Sequence, residues 1–271
     1  MNNFKFFLLL GSFTLVTSYK IETSPISDNN TRNYKIIGGT SASEGSFPYQ
    51  ILLQELGQFS CGGSFIIVNG THFVLTAAHC VINVPTSILS VVAGEVDRYK
   101  VSGNEQTRRV TRIIMHPKFG KHDLVNDIAL LVIDKPFTVN SYVSPIPLPK
   151  QGQTTTGEVI VTGWGLTSIF FRTRTRLLQK VRLTILDDNP CRLLYLVPFQ
   201  WIHSSMLCAG KLVGGSDSCD GDSGGPMKAV NGGYLAGIVS WGTICAFPLQ
   251  PGVNTEVSHY IDWIEQEART V

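Results

Sequence analysis

The segment 221–226 combines a nucleophilic side chain with an unusually free backbone. It reads Gly-Asp-Ser-Gly-Gly-Pro, and its serine is Ser223. A serine hydroxyl is a weak nucleophile at its own pKa, so it needs a neighbouring base to take its proton. The glycines permit backbone angles that other residues avoid, which frees backbone N–H groups to point at a developing oxyanion. The string predicts nucleophilic catalysis, with an ordinary glycine-rich turn as the alternative.

His79 is the best candidate for the base among the six histidines. Two alanines precede it and Cys80 follows it. An imidazole takes and returns protons near neutral pH, and a carboxylate is needed to hold its tautomer and to stabilise its cation. Asp127 is the candidate for that carboxylate because it directly precedes the apolar run 128–133, a predicted strand.

The rest of the chain predicts short strands separated by turns. Asn69-Gly70 and Asn231-Gly232 each divide two β-rich runs, which is a strong hairpin signal. Segments 187–195 and 257–268 have helical features, and segment 136–157 predicts a linker between two β-rich halves. The predicted strands are 49–54, 64–68, 71–76, 88–93, 109–115, 128–133, 158–162, 178–185, 227–230 and 234–240.

The N-terminal segment has the features of a secretory signal peptide. Lys5 precedes a short apolar run at 6–16, and small residues lead up to Ser18, a pattern typical of a signal that is cleaved after that residue. The run is shorter than the ~20 residues that span a bilayer, so we expect no membrane anchor. Residues 1–18 are therefore predicted to be the signal peptide of a secreted, extracellular protein.

Composition excludes two broad classes of protein. The 271 residues are 43% hydrophobic and 15% charged, against about 25% charged in an average soluble domain, which excludes a long disordered chain. The 22 basic and 20 acidic residues give a net charge of +2. The basic excess of a nucleic-acid-binding protein is missing, so we expect no nucleic-acid partner.

The cysteines and two sequons agree with secretion. An even number of cysteines in an oxidising compartment favours disulfides, although these residues alone leave the pairing open. Asn29 and Asn69 are candidate N-glycosylation sites, each in an Asn-x-Thr sequon.

Taken together, these strings resemble the chymotrypsin/trypsin family of secreted serine endopeptidases. They follow the family's order from Ile36 to near the C-terminus, so the resemblance covers nearly all of the predicted mature chain. The matching strings are Ile36-Ile37-Gly38-Gly39, Thr76-Ala77-Ala78-His79-Cys80, Asp127-Ile128-Ala129-Leu130-Leu131, Gly163-Trp164-Gly165, segment 221–226 and Ser240-Trp241-Gly242.

The resemblance implies an all-β fold with two six-stranded antiparallel β-barrels, an active site in the cleft between them and a C-terminal α-helix. The peptidase domain would be residues 36–271, with the first barrel at about 36–140 and the second at about 141–271. His79, Asp127 and Ser223 would form the catalytic triad, and Gly221 and Ser223 would supply the oxyanion hole. The implied disulfides are Cys61–Cys80, Cys191–Cys208 and Cys219–Cys245.

The resemblance also implies activation by cleavage. Residues 19–35 would be an activation propeptide that ends at Lys35. Cleavage there would free the α-amine of Ile36 to pair with Asp222. Because the bond follows a lysine, self-activation is a hypothesis.

Substrate preference follows from Asp217, which occupies the family's position at the floor of the primary pocket. A carboxylate there implies cleavage after lysine or arginine, and Gly242 and Gly252 would leave room for a long side chain. Ser240, Trp241 and Gly242 would pair with the substrate backbone as an added strand.

Two residues depart from the family's pattern around this pocket. Ile244 stands where a glycine is usual, and its β-branched side chain would narrow the entrance or shift a substrate-facing carbonyl. Asp220 replaces the more usual glutamine beside Gly221. It would favour basic residues in neighbouring subsites or be an inert exposed charge.

The resemblance implies no cofactor and no catalytic metal. Segment 95–105 nevertheless resembles the family's calcium loop, with Glu95 and Glu105 retained, Ser102 in place of a third acid and a positive charge at Lys100. A calcium ion near Glu95 and Glu105 is therefore left as an alternative.

Arg172, Arg174 and Arg176 form a basic cluster in a predicted loop. It is interpreted as a solvated loop, a self-cleavage site or a site for an anionic partner.

The function implied is that of a serine endopeptidase made as a zymogen. We expect a monomer whose partners are protein or peptide substrates and protein protease inhibitors. A narrow-specificity regulatory protease and a non-catalytic homologue that binds partners are the alternatives, and the presence of all three triad residues argues against the second.

Overall fold

Apolar runs between turns form thirteen strands and two α-helices in the described part of this computed structural model, which covers residues 38–166, 174–196 and 200–271. The predicted signal peptide and propeptide, including Asn29 and Lys35, lie outside the described residues, as do Ile36 and Arg172. The strands are β1 Thr40–Ser41, β2 Gln50–Glu55, β3 Gln58–Val68, β4 Thr71–Thr76, β5 Leu89–Ala93, β6 Gln106–Met115, β7 Ala129–Ile133, β8 Glu158–Gly163, β9 Gln179–Leu186, β10 Met206–Gly210, β11 Pro226–Ala229, β12 Leu235–Trp241 and β13 Gly252–Glu256.

The first barrel closes six antiparallel strands in the order β2-β3-β4-β7-β6-β5. The hairpin predicted between β3 and β4 is present, with φ of +51° at Asn69 and +80° at Gly70. Positive φ at both turn residues matches the right-handed twist of the flanking strands, and Asn69 is exposed there. Strand β7 pairs with β4 and β6, and its residues Leu130 and Leu131 are fully buried.

The second barrel is formed by β8–β13. Its strands pair in the order β9-β10-β13-β12-β11-β8, and an additional pairing of β8 with β9 closes the ring. Strand β1 pairs with β9 at Thr40↔Lys180, so this short N-terminal strand extends the second sheet although it lies in the range that we assigned to the first barrel. The expected fold of two six-stranded antiparallel barrels is confirmed.

The helices lie outside the barrels. Helix α1 spans Asp188–Tyr195, and α2 spans Ile261–Ala268 after a 3-10 turn at Val257–Tyr260. Ile264 is fully buried and belongs, with Val257, to the hydrophobic core of the first barrel. The C-terminal segment therefore connects the end of the second barrel back to the first.

The disulfides have the pairing that the resemblance implies. In the described residues Cys61 bonds Cys80, Cys191 bonds Cys208 and Cys219 bonds Cys245. The first attaches β3 to the turn that carries His79, and the third attaches segment 217–222 to the loop after β12. Within the described part of the chain, no helix is long and apolar enough to cross a membrane.

Candidate functional site

His79 and Asp127 are brought together by the register of the first barrel. His79 lies in a 3-10 turn, Ala78–Cys80, directly after β4, and Asp127 lies two residues before β7. These strands pair antiparallel with Thr76 opposite Ala129, so the end of one strand meets the start of the other. The Nδ1 atom of His79 lies 2.7 Å from Oδ2 of Asp127, and the backbone N–H of His79 donates to Oδ1 at 2.8 Å.

The second barrel also binds Asp127. Its side chain is fully buried, and the hydroxyl of Ser240 donates to Oδ2 at 2.6 Å. The hydroxyl of Thr255 donates to the backbone carbonyl of Asp127 at 2.8 Å. Because a carboxylate accepts hydrogen bonds and does not donate, the proton of the neutral His79 ring is assigned to Nδ1. Its Nε2 atom is then free to accept a proton.

Ser223 lines a pocket that also reaches Ser240. Its backbone carbonyl accepts from Gly62 of β3 at 2.8 Å, which fixes the loop against the first barrel. The pocket has a volume of about 200 Å³ and is lined by both serines and by Asp217. Among the hydrogen bonds of the described residues, none joins Ser223 Oγ to His79 Nε2. Such bonds commonly tighten only when substrate binds.

The loop before Ser223 presents unpartnered backbone donors. Gly221 has φ of +99°, a conformation that side chains disfavour. Neither the N–H of Gly221 nor that of Ser223 donates to an acceptor in the described part of the chain. Two donors without an acceptor among the described residues, beside a serine hydroxyl, can stabilise an oxyanion that forms there.

Asp217 is the acidic group of the pocket. It is 4% exposed, and the N–H groups of Ser218 and Ala246 donate to its two oxygens at 2.8 and 3.1 Å. Burial raises the pKa of Asp217 to about 6, against the opposing effect of these donors. A Cβ atom at Gly252 would lie 2.9 Å from Oδ1 of Asp217, so a side chain at that position would close the bottom of the pocket.

Of the two departures from the family's pattern, one lines this pocket and the other does not. Asp220 is exposed and is one of the lining residues. Ile244 is 44% exposed and is not among the described residues that line the pocket.

Asp222 is the second buried acid of the loop. Its oxygens accept from the N–H groups of Gly165 and Cys219, each at 2.9 Å. Cβ atoms at Gly163 and Gly165 would lie 2.1 and 2.6 Å from the carboxyl group, which explains why the motif around Trp164 needs both glycines. Burial raises the pKa of Asp222 to about 7. None of the ion pairs among the described residues neutralises it.

Sequence reasoning missed Asn254 in β13. This side chain is 1% exposed and lies two residues after Gly252, on the same face of the strand. Its Nδ2 donates to the carbonyls of Leu207 and Gly252 at 3.4 and 3.1 Å, while Oδ1 has no partner among the described residues. The sequence signal was a polar residue inside an apolar strand, which becomes informative once the strand is known.

A larger groove adjoins the pocket and was also missed. It shares Trp241 and Gly242 with the pocket and has a volume of about 670 Å³. Leu124, Trp201 and Ile202 supply much of its apolar surface.

The segment that resembles a calcium loop places its two acids close together. Glu95 is half-buried, and its Oε1 has no partner among the described residues. Burial and the charge of Glu105 raise the pKa of Glu95. Glu105 accepts from the N–H groups of Ser102 and Gly103 at 2.7 and 2.8 Å.

Elsewhere in the described residues, one group of potential metal ligands lies close enough together to hold an ion, but it is not available to a metal. It consists of Cys61, His79 and Cys80, but the two cysteines are joined in a disulfide. Thiolate is the form of cysteine that binds metals, so this cluster does not provide a metal site.

Comparison with known proteins gives a consistent result. The family model described as Trypsin matches residues 36–264. Trypsin-1 of Astacus astacus is 49% identical over 243 residues, which are 86% of this chain and all of the relative. Trypsin of Sus scrofa is 41% identical over 86% of this chain and 95% of its own. Coagulation factor IX of Oryctolagus cuniculus is 42% identical over 89% of this chain and 86% of its own.

The buried Asp222 should make the stability of the uncleaved protein depend on pH. Its carboxyl keeps a proton up to about pH 7 in the folded state but loses it near pH 4 in the unfolded chain. The folded state therefore binds more protons between these limits, and the free energy of unfolding should fall by at most about 1.4 kcal/mol per pH unit as the pH rises from about 4 to about 7.

Denaturant unfolding at several pH values measures this slope in an uncleaved Ser223→Ala protein. Adding Asp222→Asn should remove the part of the slope that is due to Asp222. Asp217, whose pKa is also raised, is present in both proteins. The amide also lowers the overall stability, because it offers one acceptor to two donors, so the readout is the slope. Identical slopes in the two proteins would contradict the assignment.

Proposed function

The chain belongs to the trypsin family of serine endopeptidases, and we propose that it is secreted as an inactive proform whose mature form hydrolyses peptide bonds after lysine or arginine. The observation that carries this proposal is that the buried Asp217 and the partly exposed Ser223 line the same pocket. A buried carboxylate is costly when it has no counter-charge. A lysine or arginine side chain of the substrate would supply that charge.

The proposed mechanism uses the residues in the roles that their contacts permit. Ser223 Oγ attacks the carbonyl carbon of the bond to be cleaved, and Nε2 of His79 takes the hydroxyl proton. Asp127, bonded to Nδ1, stabilises the imidazolium that forms. The N–H groups of Gly221 and Ser223 stabilise the oxyanion, a contribution of about 3 kcal/mol per donor in related hydrolases.

Collapse of this intermediate completes the first half of the reaction. The C–N bond breaks, His79 returns its proton to the leaving amine, and the acyl group stays on Ser223. Water then attacks the acyl carbon with His79 again as the base, and the carboxylic acid leaves.

Activation follows from Asp222. Cleavage after Lys35 would release the α-amine of Ile36, and this cation would pair with the buried carboxylate. Since Asp222 precedes Ser223 and lies one residue after Gly221, the pair would favour one conformation of the loop that carries the oxyanion donors. In a protein that starts at Ile36, the pH-dependent fall in stability attributed to Asp222 should shrink.

A regulatory protease of narrow specificity is the second candidate. The apolar groove beyond Trp241 favours it, because a long groove contacts several substrate residues and selects among sequences. The proposed partners are therefore protein substrates and protein protease inhibitors that occupy the same cleft, and the proposed state is a monomer. Cleavage profiles of peptide libraries separate a broad from a narrow preference.

Reactivity of Ser223 tests the catalytic proposal. The protein that starts at Ile36 should be labelled at Ser223 by a fluorophosphonate and should hydrolyse lysyl and arginyl esters. Ser223→Ala and His79→Ala should each reduce the rate by about a thousandfold or more. A folded protein that is neither labelled nor active would identify a non-catalytic homologue, and activity confined to other residue types would overturn the proposed preference.

The pocket carboxylate gives a second, independent prediction. With Ser223→Ala to prevent catalysis, binding of benzamidine, a small aromatic amidinium, should weaken by up to about tenfold per pH unit below about pH 6, as Asp217 gains its proton. Isothermal calorimetry measures this affinity. Asp217→Asn should weaken binding by about a hundredfold at pH 8 and remove the pH dependence.

Asp220→Asn is the matched control, because Asp220 is a carboxylate that lines the same pocket but is exposed. Its effect should be small. Equal losses from the two substitutions would show that general negative charge, and not the buried Asp217, binds the cation.

A calcium ion at segment 95–105 is a further proposal, supported by the unpartnered Oε1 of Glu95 beside Glu105. Calcium binds clustered oxygen ligands and accepts backbone carbonyls and waters for the rest of its shell. The ion would neutralise two carboxylates that repel each other, and it would stabilise the loop without a part in the chemistry.

Thermal unfolding of the Ser223→Ala protein tests this site. Saturating calcium should raise the midpoint by about 5 °C, since binding to the folded state alone stabilises it. Glu95→Gln should abolish the shift, whereas Glu44→Gln, at an exposed acid outside the loop, should leave it. A shift that magnesium reproduces, or one that survives Glu95→Gln, would contradict the site.

A further inference from the structure

Two arginines flank one aromatic ring beside the oxyanion donors. The guanidinium carbons of Arg98 and Arg174 lie 4.9 and 5.1 Å from the ring centre of Phe59. Nη1 of Arg174 donates to the carbonyl of Phe59 at 2.9 Å, and Nε of Arg98 donates to the carbonyl of Thr175 at 2.9 Å. The two side chains are thus held in place by neutral partners.

Neither of these arginines forms an ion pair with a described acid, although the charge of Glu95 also acts on Arg98 in the direction that raises its pKa. None of the ion pairs between described side chains includes Arg98 or Arg174. Their neighbour Arg176 differs, because both its Nε and Nη2 bond the carboxylate of Asp97 at 2.6 and 2.7 Å. The pKa of Arg98 is lowered by burial and by the charge of Arg174. The pair is therefore a concentrated positive charge that an anion would relieve.

The pair lies next to the reaction centre. A Cβ atom at Gly221 would be 3.3 Å from Nε of Arg174 and 3.5 Å from a ring carbon of Phe59. Gly221 is also one of the two proposed oxyanion donors. An extended chain spans about 3.3 Å per residue. A substrate residue only a few positions from the cleaved bond could therefore reach the two arginines.

The direction of the substrate places this charge on the leaving-group side. The acyl half of a substrate would fill the pocket over Asp217 and run along Trp241 and Gly242. The leaving half of the substrate must then extend away from this pocket, past Gly221 and toward Phe59 and its two arginines. The acyl half and the leaving half would meet groups of opposite charge.

We propose that Arg98 and Arg174, held against Phe59, form a subsite for an acidic side chain within the first three residues after the cleaved bond. Guanidinium groups bind carboxylates through paired, charge-assisted hydrogen bonds, and the ring beneath them limits their motion. This inference rests on the proposed function and adds a second specificity determinant to it.

The subsite bears on the hypothesis of self-activation. The residues after Lys35 are Ile36-Ile37-Gly38-Gly39, and the first acid downstream is Glu44. The bond cleaved in activation is therefore followed by no acidic side chain that the two arginines could bind. The enzyme would cleave its own proform more slowly than a substrate with an acid after the lysine.

Matched quenched peptides test the proposal. They share one lysine as the cleaved residue and carry Glu, Gln or Lys at one of the three following positions. At the best position, kcat/KM for Glu should exceed that for Gln by about tenfold, a factor typical of one charge-assisted contact, and Lys should be poorest. The preference should shrink at high salt, which screens partly exposed charges.

Variants assign the preference to the two arginines. Arg98→Gln with Arg174→Gln should reduce the Glu preference to near unity, and the paired Lys variants should retain part of it. Arg182→Gln, which removes an arginine from β9 that pairs with Glu158, is the matched control and should leave it unchanged. Fluorophosphonate titration of Ser223 corrects each rate for the fraction of folded, active protein.

A lysyl p-nitroanilide separates this proposal from the proposed function, because it has no residue after the cleaved bond. If it is not cleaved, the proposed function fails. If it is cleaved equally by all variants while the peptides show no acid preference, the subsite fails. Binding of a sulfated polysaccharide that depends on both arginines, without a peptide preference, would assign the surface to an anionic polymer and would also overturn the proposal.

Discussion

The buried carboxylate of Asp127 joins the two barrels through hydrogen bonds. Its side chain is fully buried and accepts from His79 of the first barrel and from Ser240 of the second. A buried charge is tolerated only where donors surround it, and a relative shift of the barrels would remove the donor that Ser240 supplies. The constraint that orients the imidazole is thus also a constraint on the whole cleft.

Two other buried acids have donors but lack a counter-charge among the described residues. Burial raises the pKa of Asp217 to about 6 and that of Asp222 to about 7. Under the proposed function each obtains a cation from outside the folded domain, the first from the substrate and the second from the new terminus at Ile36. Each buried acid lowers the stability of the folded domain until it is paired. Pairing of Asp217 with the substrate would then give specificity, and pairing of Asp222 with the new terminus would control activation.

Local signals predicted much of this arrangement, and tertiary contacts account for the rest. The Asn-Gly turn predicted a hairpin because two positive φ angles are a property of the turn itself. Strand β10 was missed because all five of its residues are buried, so it shows no alternation of polar and apolar residues. Strand β13 begins with glycine and contains Asn254, which weakens its strand signal. Only the known pairing shows that this asparagine lies among buried neighbours.

The arginine pair depends on contacts between residues that are distant in the sequence. Arg172, Arg174 and Arg176 are close in the chain, but Arg176 is neutralised by Asp97, and Arg172 lies outside the described residues. The partner of Arg174 on the Phe59 ring is Arg98, far away in sequence. Whether a charged side chain has an ion-pair partner depends on its neighbours in three dimensions. Here the arginine pair lies beside Gly221. Under the proposed function, a cleft with Asp217 in its pocket and the arginine pair beside Gly221 would favour substrates with a basic residue before the cleaved bond and an acidic residue after it.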